Sequence, residues 1–234
     1  MTQQMIETYK EFVGLFKYFP TDARLTFVRH GETDNNLNNI IQGGAKTNDT
    51  KLNRKGIIQS HDLGKKMDME VFDFTFTSPS VRTKETFEIL RKYFLSQNEQ
   101  QFELPTLTEF DFGDMDGKLK DDTEYYTLID SMFANKKTNL SIDGSETLEH
   151  MFERCAKSIR AMVKIIAEQF EQKKAELPKD RPLNILITGH GMFIGFLLNI
   201  LIKRSIGMEY KPNNGDAYTL IIGESGKHKL DAYV

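Results

Sequence analysis

Arg29-His30-Gly31 and, far along the chain, His190-Gly191 each set an imidazole directly before a glycine, and Arg82 and Glu109 stand between them. Arginine offers a planar donor fork that matches phosphate oxygens, and imidazole can act as a nucleophile or steady charge. Such a set suits phosphoryl transfer. Arg29 and Arg82 would bind the phosphate and stabilise its equatorial oxygens as the group passes from donor to acceptor. His30 must present an unprotonated ring nitrogen to phosphorus, so its other nitrogen has to hold the proton in a hydrogen bond, with a backbone carbonyl of the loop as partner. Gly31 lacks a Cβ and so permits a tight turn and close approach to the anion. An alkoxide is a poor leaving group, and Glu109, set between Leu107, Phe110 and Phe112, is the expected proton donor. In the second half-reaction the same carboxylate would activate water.

These residues have to be brought together by the elements around them. Leu25 to Val28 is a β-prone run ending at Arg29-His30-Gly31, and Val71 to Thr77 is a second, closed by Ser78-Pro79-Ser80. Leu104 to Leu107 reads as a short strand before Glu109, Leu183 to Thr188 as an apolar strand before His190, and Ala217 to Ile222 as the last. Helical periodicity covers Leu52 to Met67, Val81 to Phe94, Leu148 to Phe170 and Met192 to Ile202. Phe110 to Gly144 reads as a mostly helical insertion with loops over the site. Alternation of strands and helices predicts a three-layer α/β/α sandwich with a largely parallel central sheet. In such a sheet ligands bind beyond the carboxyl ends of the strands, which is where the candidate residues fall.

Composition sets wider bounds. With 234 residues, 39% hydrophobic and 28% charged, the chain has the balance of one globular domain, placed at 21–234, behind an amphipathic helical extension at 1–20 that Pro20 closes. The extension is expected to cover core surface. A net charge of -3 leaves no footprint for nucleic acid. The N-terminus lacks a secretory apolar core, and Met192 to Ile202 is too short to cross a bilayer. A lone cysteine, Cys155, fits a reducing, cytoplasmic setting, and there is no Cys/His cluster at metal-ligand spacing.

The chain resembles the histidine phosphatase superfamily, the phosphoglycerate mutase-like family. The resemblance rests on Arg29-His30-Gly31-Glu32-Thr33-Asp34-Asn35-Asn36, Gln42-Gly43, Leu52 with Gly56 and Gln59, Thr77 to Arg82 with Thr86, Glu109 with Phe112-Gly113 and Gly117, Gly144-Ser145-Glu146, and His190-Gly191. It implies a covalent phosphohistidine on His30, a phosphate pocket of Arg29, Arg82 and His190, Glu109 as proton donor, and Gly31, Asn36, Gln42, Gly43 and Gly191 on the substrate side. No metal or organic cofactor is implied. Asn35 and Met115 stand where the family often has tryptophan, and Gly195 where many members carry an arginine.

The expected activity is hydrolysis of a small phosphate ester. Mutase members carry an arginine-bearing segment after the acid residue, whereas Lys118 to Leu140 has no Arg-Arg pair. Ile41-Gln42-Gly43 and Arg82-Thr83-Lys84 are similar to the fructose-2,6-bisphosphatase-like group, which points to sugar phosphates and bisphosphates. The alternatives are a phosphoglycerate mutase-type phosphotransferase and an inactive phosphate-ester binding protein. His61, His150, His228 and Cys155 are read as structural, and Lys65-Lys66 and Lys173-Lys174 as solvated faces. Lys118 or Lys136-Lys137 is a candidate for meeting a second phosphate. The oligomeric state is not legible.

Overall fold

The computed structural model describes residues 3–44, 49–95, 99–120, 123–142, 144–172, 181–223 and 226–233. Its sheet has the order β3-β2-β4-β1-β5-β6, built from β1 (Ala23–Arg29), β2 (Phe74–Thr77), β3 (Gln100–Glu103), β4 (Leu183–Gly189), β5 (Ala217–Ile222) and β6 (His228–Tyr233). The first four strands run parallel, while β5 is antiparallel to β1 and β6 to β5.

Side chains alternate between two cores, one on each face of the sheet. Leu25, Phe27, Ile185 and Ile187 pack with Phe152 and Ile159 of α6 (Leu148–Gln172) and Phe193 and Leu197 of α7 (Gly191–Lys203). Val28 and Leu186 point the other way, onto Leu63 of α3 (Arg54–Lys66) and Phe87 and Leu90 of α4 (Val81–Leu90). The central strand β4 is buried at every residue, as a parallel strand covered on both faces must be. This is the three-layer sandwich expected from the alternation.

Local departures have identifiable causes. Leu104 to Leu107 is not a strand: Pro105 opens a 3-10 turn there, since proline has no N–H for a ladder, and the strand is the preceding Gln100–Glu103. The segment 110–144 is less helical than expected, with a 3-10 turn at Gly113–Met115, α5 (Thr123–Ile129) and a π turn at Asp130–Ala134. β6 was not anticipated, because His-Lys-Leu-Asp-Ala-Tyr has too weak an alternation to announce an edge strand. At the N-terminus α1 (Gln3–Gly14) runs into a 3-10 turn at Leu15–Tyr18, and Met5, Phe16 and Phe19 are buried in the same core as the sheet. Met115, at one of the family's tryptophan positions, is likewise buried there.

Of the charge runs, Lys65 pairs with Asp62 at the surface, and Lys173-Lys174 lies outside the described residues. His61 bonds the Tyr93 hydroxyl and His228 the Leu201 carbonyl, while His150 is exposed. Burial raises the Cys155 thiol well above its ordinary range, so it is a core side chain and not a reactive one.

Candidate active site

Sheet register brings the two histidines together. Arg29 pairs with Gly189 and Thr77 with Thr188, so His30 and His190 leave adjacent strands at one level, with Ser78 one residue behind them on the third. The His30 N–H donates to the Gly189 carbonyl at 3.1 Å and the Ser78 N–H to the Thr188 carbonyl at 3.1 Å, extending the ladder by one step. The imidazole rings end with centroids 5.3 Å apart. Arg82, in the first turn of α4, is 1% exposed and joins them. Its Nε donates to His30 Nε2 (3.3 Å) and its Nη2 to His190 Nδ1 (3.1 Å) and the Gly43 carbonyl (3.1 Å). Its Nη1 meets Asp49 Oδ1 at 3.0 Å.

These partners assign the tautomers. His30 Nδ1 lies 2.7 Å from the Gly31 carbonyl, which can only accept, so the proton sits on Nδ1 and the Nε2 lone pair faces the arginines. His190 is the reverse: its Nδ1 accepts from Arg82, leaving Nε2 to donate to Ser78 Oγ at 2.8 Å. Burial, and after it the Arg82 cation, holds both imidazoles well below the usual histidine range, so both are neutral at neutral pH.

Arg29 donates through Nη1 to the Pro212 carbonyl at 3.0 Å, and its Nε is buried with no hydrogen-bond partner. Desolvation lowers its pKa, while the Glu109 charge opposes the change. A guanidinium with a buried, unused donor has the chemistry to bind an anion.

Glu109 reaches the cleft from the loop after the 3-10 turn, not from a strand end. Its Oε2 accepts from the Met192 N–H and its Oε1 from the Phe193 N–H, both at 3.0 Å, so the carboxylate caps the first turn of α7. The loop is held from behind by Arg154 of α6, which donates to the Thr106, Thr108 and Glu109 carbonyls and pairs with Glu146 at 2.6 Å. This gives the Gly144-Ser145-Glu146 stretch a physical role.

The five expected substrate-side residues differ in what they do here. The Gly31 N–H goes to Thr86 Oγ1 at 3.0 Å, and a Cβ at Gly31 would meet the Gly56 carbonyl at 2.4 Å, so this glycine lets α3 press against the loop. Asn36 completes a capping box with Thr33 at the start of α2 (Asp34–Leu37). Gln42 accepts from Thr33 and donates to Thr50, tying the loop to itself. Gly43 supplies the carbonyl on Arg82, and Gly191 lies under the Arg29 guanidinium, where a Cβ would come to 3.0 Å.

Four contributors were missed by sequence reasoning: Asp49 on Arg82, Ser78 on His190, Asn214 and Arg154. Asn214 donates to the His30 carbonyl (3.1 Å) and to Asn36 Oδ1 (3.0 Å). Ser78 could have been found, since it directly follows a strand; the others carry no spacing signal. Lys118 pairs with Glu124 at 3.8 Å and Lys136-Lys137 is exposed. Among the described residues no group of three or more His, Cys, Asp or Glu is placed to hold a metal ion, and no helix is long and apolar enough to cross a membrane.

With this geometry in place, residues 25–230 match the model of the histidine phosphatase superfamily (branch 1), and the chain belongs to that family. It is similar to the uncharacterized phosphatase PhoE of Bacillus subtilis, 31% identical over 172 residues covering 73% of each chain. It is also similar to the fructose-2,6-bisphosphatase TIGAR of Xenopus laevis, 28% identical over 73% of this chain and 61% of that one. It spans about half the length of the curated phosphoglycerate mutases it matches, such as that of Rhodopseudomonas palustris, 37% identical over 44% of this chain and 49% of that one. The fold is that of the phosphoglycerate mutase from Bacillus anthracis, with a TM-score of 0.71 at 21% identity, covering 93% of this chain and 95% of that one.

Proposed function

We propose that this protein is a phosphatase that hydrolyses a small phosphate ester, of the sugar phosphate or bisphosphate class, through a phosphohistidine on His30. The observation that carries this reading is the His30 ring itself: neutral, its Nδ1 proton held by the Gly31 carbonyl, and its Nε2 lone pair turned toward the arginines. A substrate phosphate would take the Arg82 Nε from His30 and the unused Arg29 donor, which frees the lone pair as it aligns phosphorus. His190 Nε2–H, which donates to Ser78 Oγ here, would on turning from Ser78 donate that hydrogen bond to the phosphate.

Glu109 is the acid and base of the cycle. In the free protein its oxygens accept from the Met192 and Phe193 N–H groups. The incoming ester would engage both arginines, and Glu109 would protonate the leaving oxygen. The C–O–P bridging bond breaks on the phosphorus side, His30 Nε2 gains the phosphoryl group, and Glu109 then deprotonates the water that releases phosphate. Similarity to PhoE and TIGAR supports a phosphatase, and the fructose-2,6-bisphosphatase activity for which TIGAR is named supports a phosphosugar.

A mutase-type transferase is the second reading, favoured by the identity with phosphoglycerate mutases. The absence of an Arg-Arg pair between Lys118 and Leu140 weighs against it. Phosphate release from sugar phosphates, sugar bisphosphates, phosphoglycerates and a phosphotyrosine peptide, by wild type and His30→Ala, tests the proposal. Rapid release from a phosphosugar, lost in the variant, supports it; isomerised substrate without released phosphate would favour the mutase.

A further inference from the structure

A groove of about 1260 Å³ opens far from the cleft, between α1, the end of α7 and the start of β6. α7 begins at the site, where its Met192 and Phe193 N–H groups meet Glu109, and its 13 residues carry the other end about 20 Å away. Tyr9, Val13, Leu201, Ile202 and Leu230 give the groove an apolar lining. Leu201 is buried in the main core and the other four pack against that core, so the fold fixes the lining.

Two contacts tie β6 and the turn before it to the helices and so shape the groove. His228 Nε2 donates to the Leu201 carbonyl at 2.9 Å, and its ring meets Phe16 edge-on with centroids 5.4 Å apart. Gly226, with a φ of +74°, lies against the Lys17 backbone, where a Cβ would come to 3.2 Å.

The charges around this lining are of one sign. Lys10, Lys17, Arg204 and Lys227, all exposed, line the groove, and no aspartate or glutamate does. Acids of the bordering elements are engaged elsewhere: Glu11 reaches Arg160 of α6 at 3.6 Å, Glu7 accepts from Gln3 at 3.0 Å, and Glu209 pairs with Lys203 at 3.5 Å. Lys17 lies over the Tyr18 ring at 5.1 Å, and Arg204 is set at the groove by the left-handed turn that ends α7. In a chain of net charge -3 this is a local excess of positive charge beside apolar surface.

Shape and charge together select the occupant. A flat bilayer does not fill a groove, and the apolar side chains that an N-terminal helix would insert into one, Met5, Phe16 and Phe19, are buried in the core. The volume exceeds the about 300–1,000 Å³ of sites for drug-sized ligands. An amphipathic helix with an apolar face and acidic flanks satisfies both the lining and the cations. We propose that the groove between α1, the end of α7 and β6 docks an acidic amphipathic helical segment of a partner protein. The proposal goes beyond the phosphatase reading and does not depend on it.

Fluorescence anisotropy with the full chain tests the docking site. The probe is a labelled synthetic peptide of about four helical turns, with leucines at i, i+3, i+4 and i+7 and glutamates on both flanks. A peptide with lysines in place of the glutamates and a scrambled acidic peptide are the comparisons. The acidic amphipathic peptide is expected to bind at least about tenfold more tightly than either, and Lys10→Glu with Lys17→Glu to abolish that preference. Glutamine at the same two positions, which introduces no repulsion, should give an intermediate loss, and Lys65→Glu with Lys66→Glu on α3 none. Urea unfolding of each variant at the wild-type midpoint shows that the fold is kept. Equal or no binding of the three peptides, or a preference that survives the change to glutamate, overturns the proposal. So does sedimentation that finds the full chain dimeric and the glutamate variant monomeric, which would make this face an interface between copies. Binding of phosphatidylglycerol vesicles that displaces the peptide and is lost in the same variant would also overturn it, in favour of a membrane.

Discussion

Acidification below about pH 6.5 should destabilise this protein at a rate set by two buried imidazoles. His30 and His190 are 3% and 0% exposed and are held well below the ordinary histidine range by burial and by Arg82. In the unfolded chain each titrates near its free value of about 6.5. Between that value and the depressed folded one, the unfolded state binds one more proton per histidine than the folded state does. Stability therefore falls with falling pH by about 1.4 kcal/mol per unit for each histidine, or about 2.7 kcal/mol for the two, and is fully present above the unfolded value. Carboxylates add their own losses at lower pH, so the quantity to read is a difference. Urea unfolding followed from pH 7 to 5 on wild type and His30→Ala should give slopes that differ by about 1.4 kcal/mol per pH unit over the lower half of that range. Equal slopes would refute the neutral, buried His30 on which the mechanism depends.

Arg82→Lys keeps the charge but cannot reproduce contacts to His30, His190, Gly43 and Asp49 from one nitrogen; kcat for phosphate release should fall by about 100-fold or more. A loss under threefold would show that the fork is not needed. Gly56→Ala puts a Cβ 2.1 Å from the Glu32 carbonyl, with no flexible side chain to yield. We expect a cost of about 1–3 kcal/mol in urea unfolding and a larger loss of turnover, because the strain falls on the loop that carries His30. Phe16→Ala should cost about 3–5 kcal/mol by the same assay, since Phe16 is fully buried in the main core; a cost under 1 kcal/mol would show the N-terminal helix to be a dispensable cover.

Much of the site was legible because parallel strands advertise themselves and their ends. Val28, Thr77 and Thr188 close β-prone runs, and within two residues of those ends the register delivers His30 and His190 to one level with Ser78 one residue behind. Arg82 was legible as the second residue of a helix opening on Ser-Pro-Ser. Glu109 follows no strand, contrary to the expectation: an irregular loop holds it, through Arg154 and Glu146, and such long-range hydrogen bonds leave no period in the sequence. The close approach of the Lys211 backbone to α7 was invisible for the same kind of reason. It depends on what Gly195 lacks, and a missing side chain speaks only once the neighbouring backbone is seen. The edge strand β6 was missed because an edge position asks little of its side chains.

The central claim is a covalent phosphohistidine on His30. Rapid alkaline quenching of the full chain with a phosphate ester it turns over, followed by mass measurement of its peptides, tests this most directly. The account predicts one acid-labile phosphoryl group on the peptide that holds His30, formed within a turnover and absent from His30→Ala. Turnover at full rate with no phosphoryl group on that peptide, or with one on another residue, would contradict it.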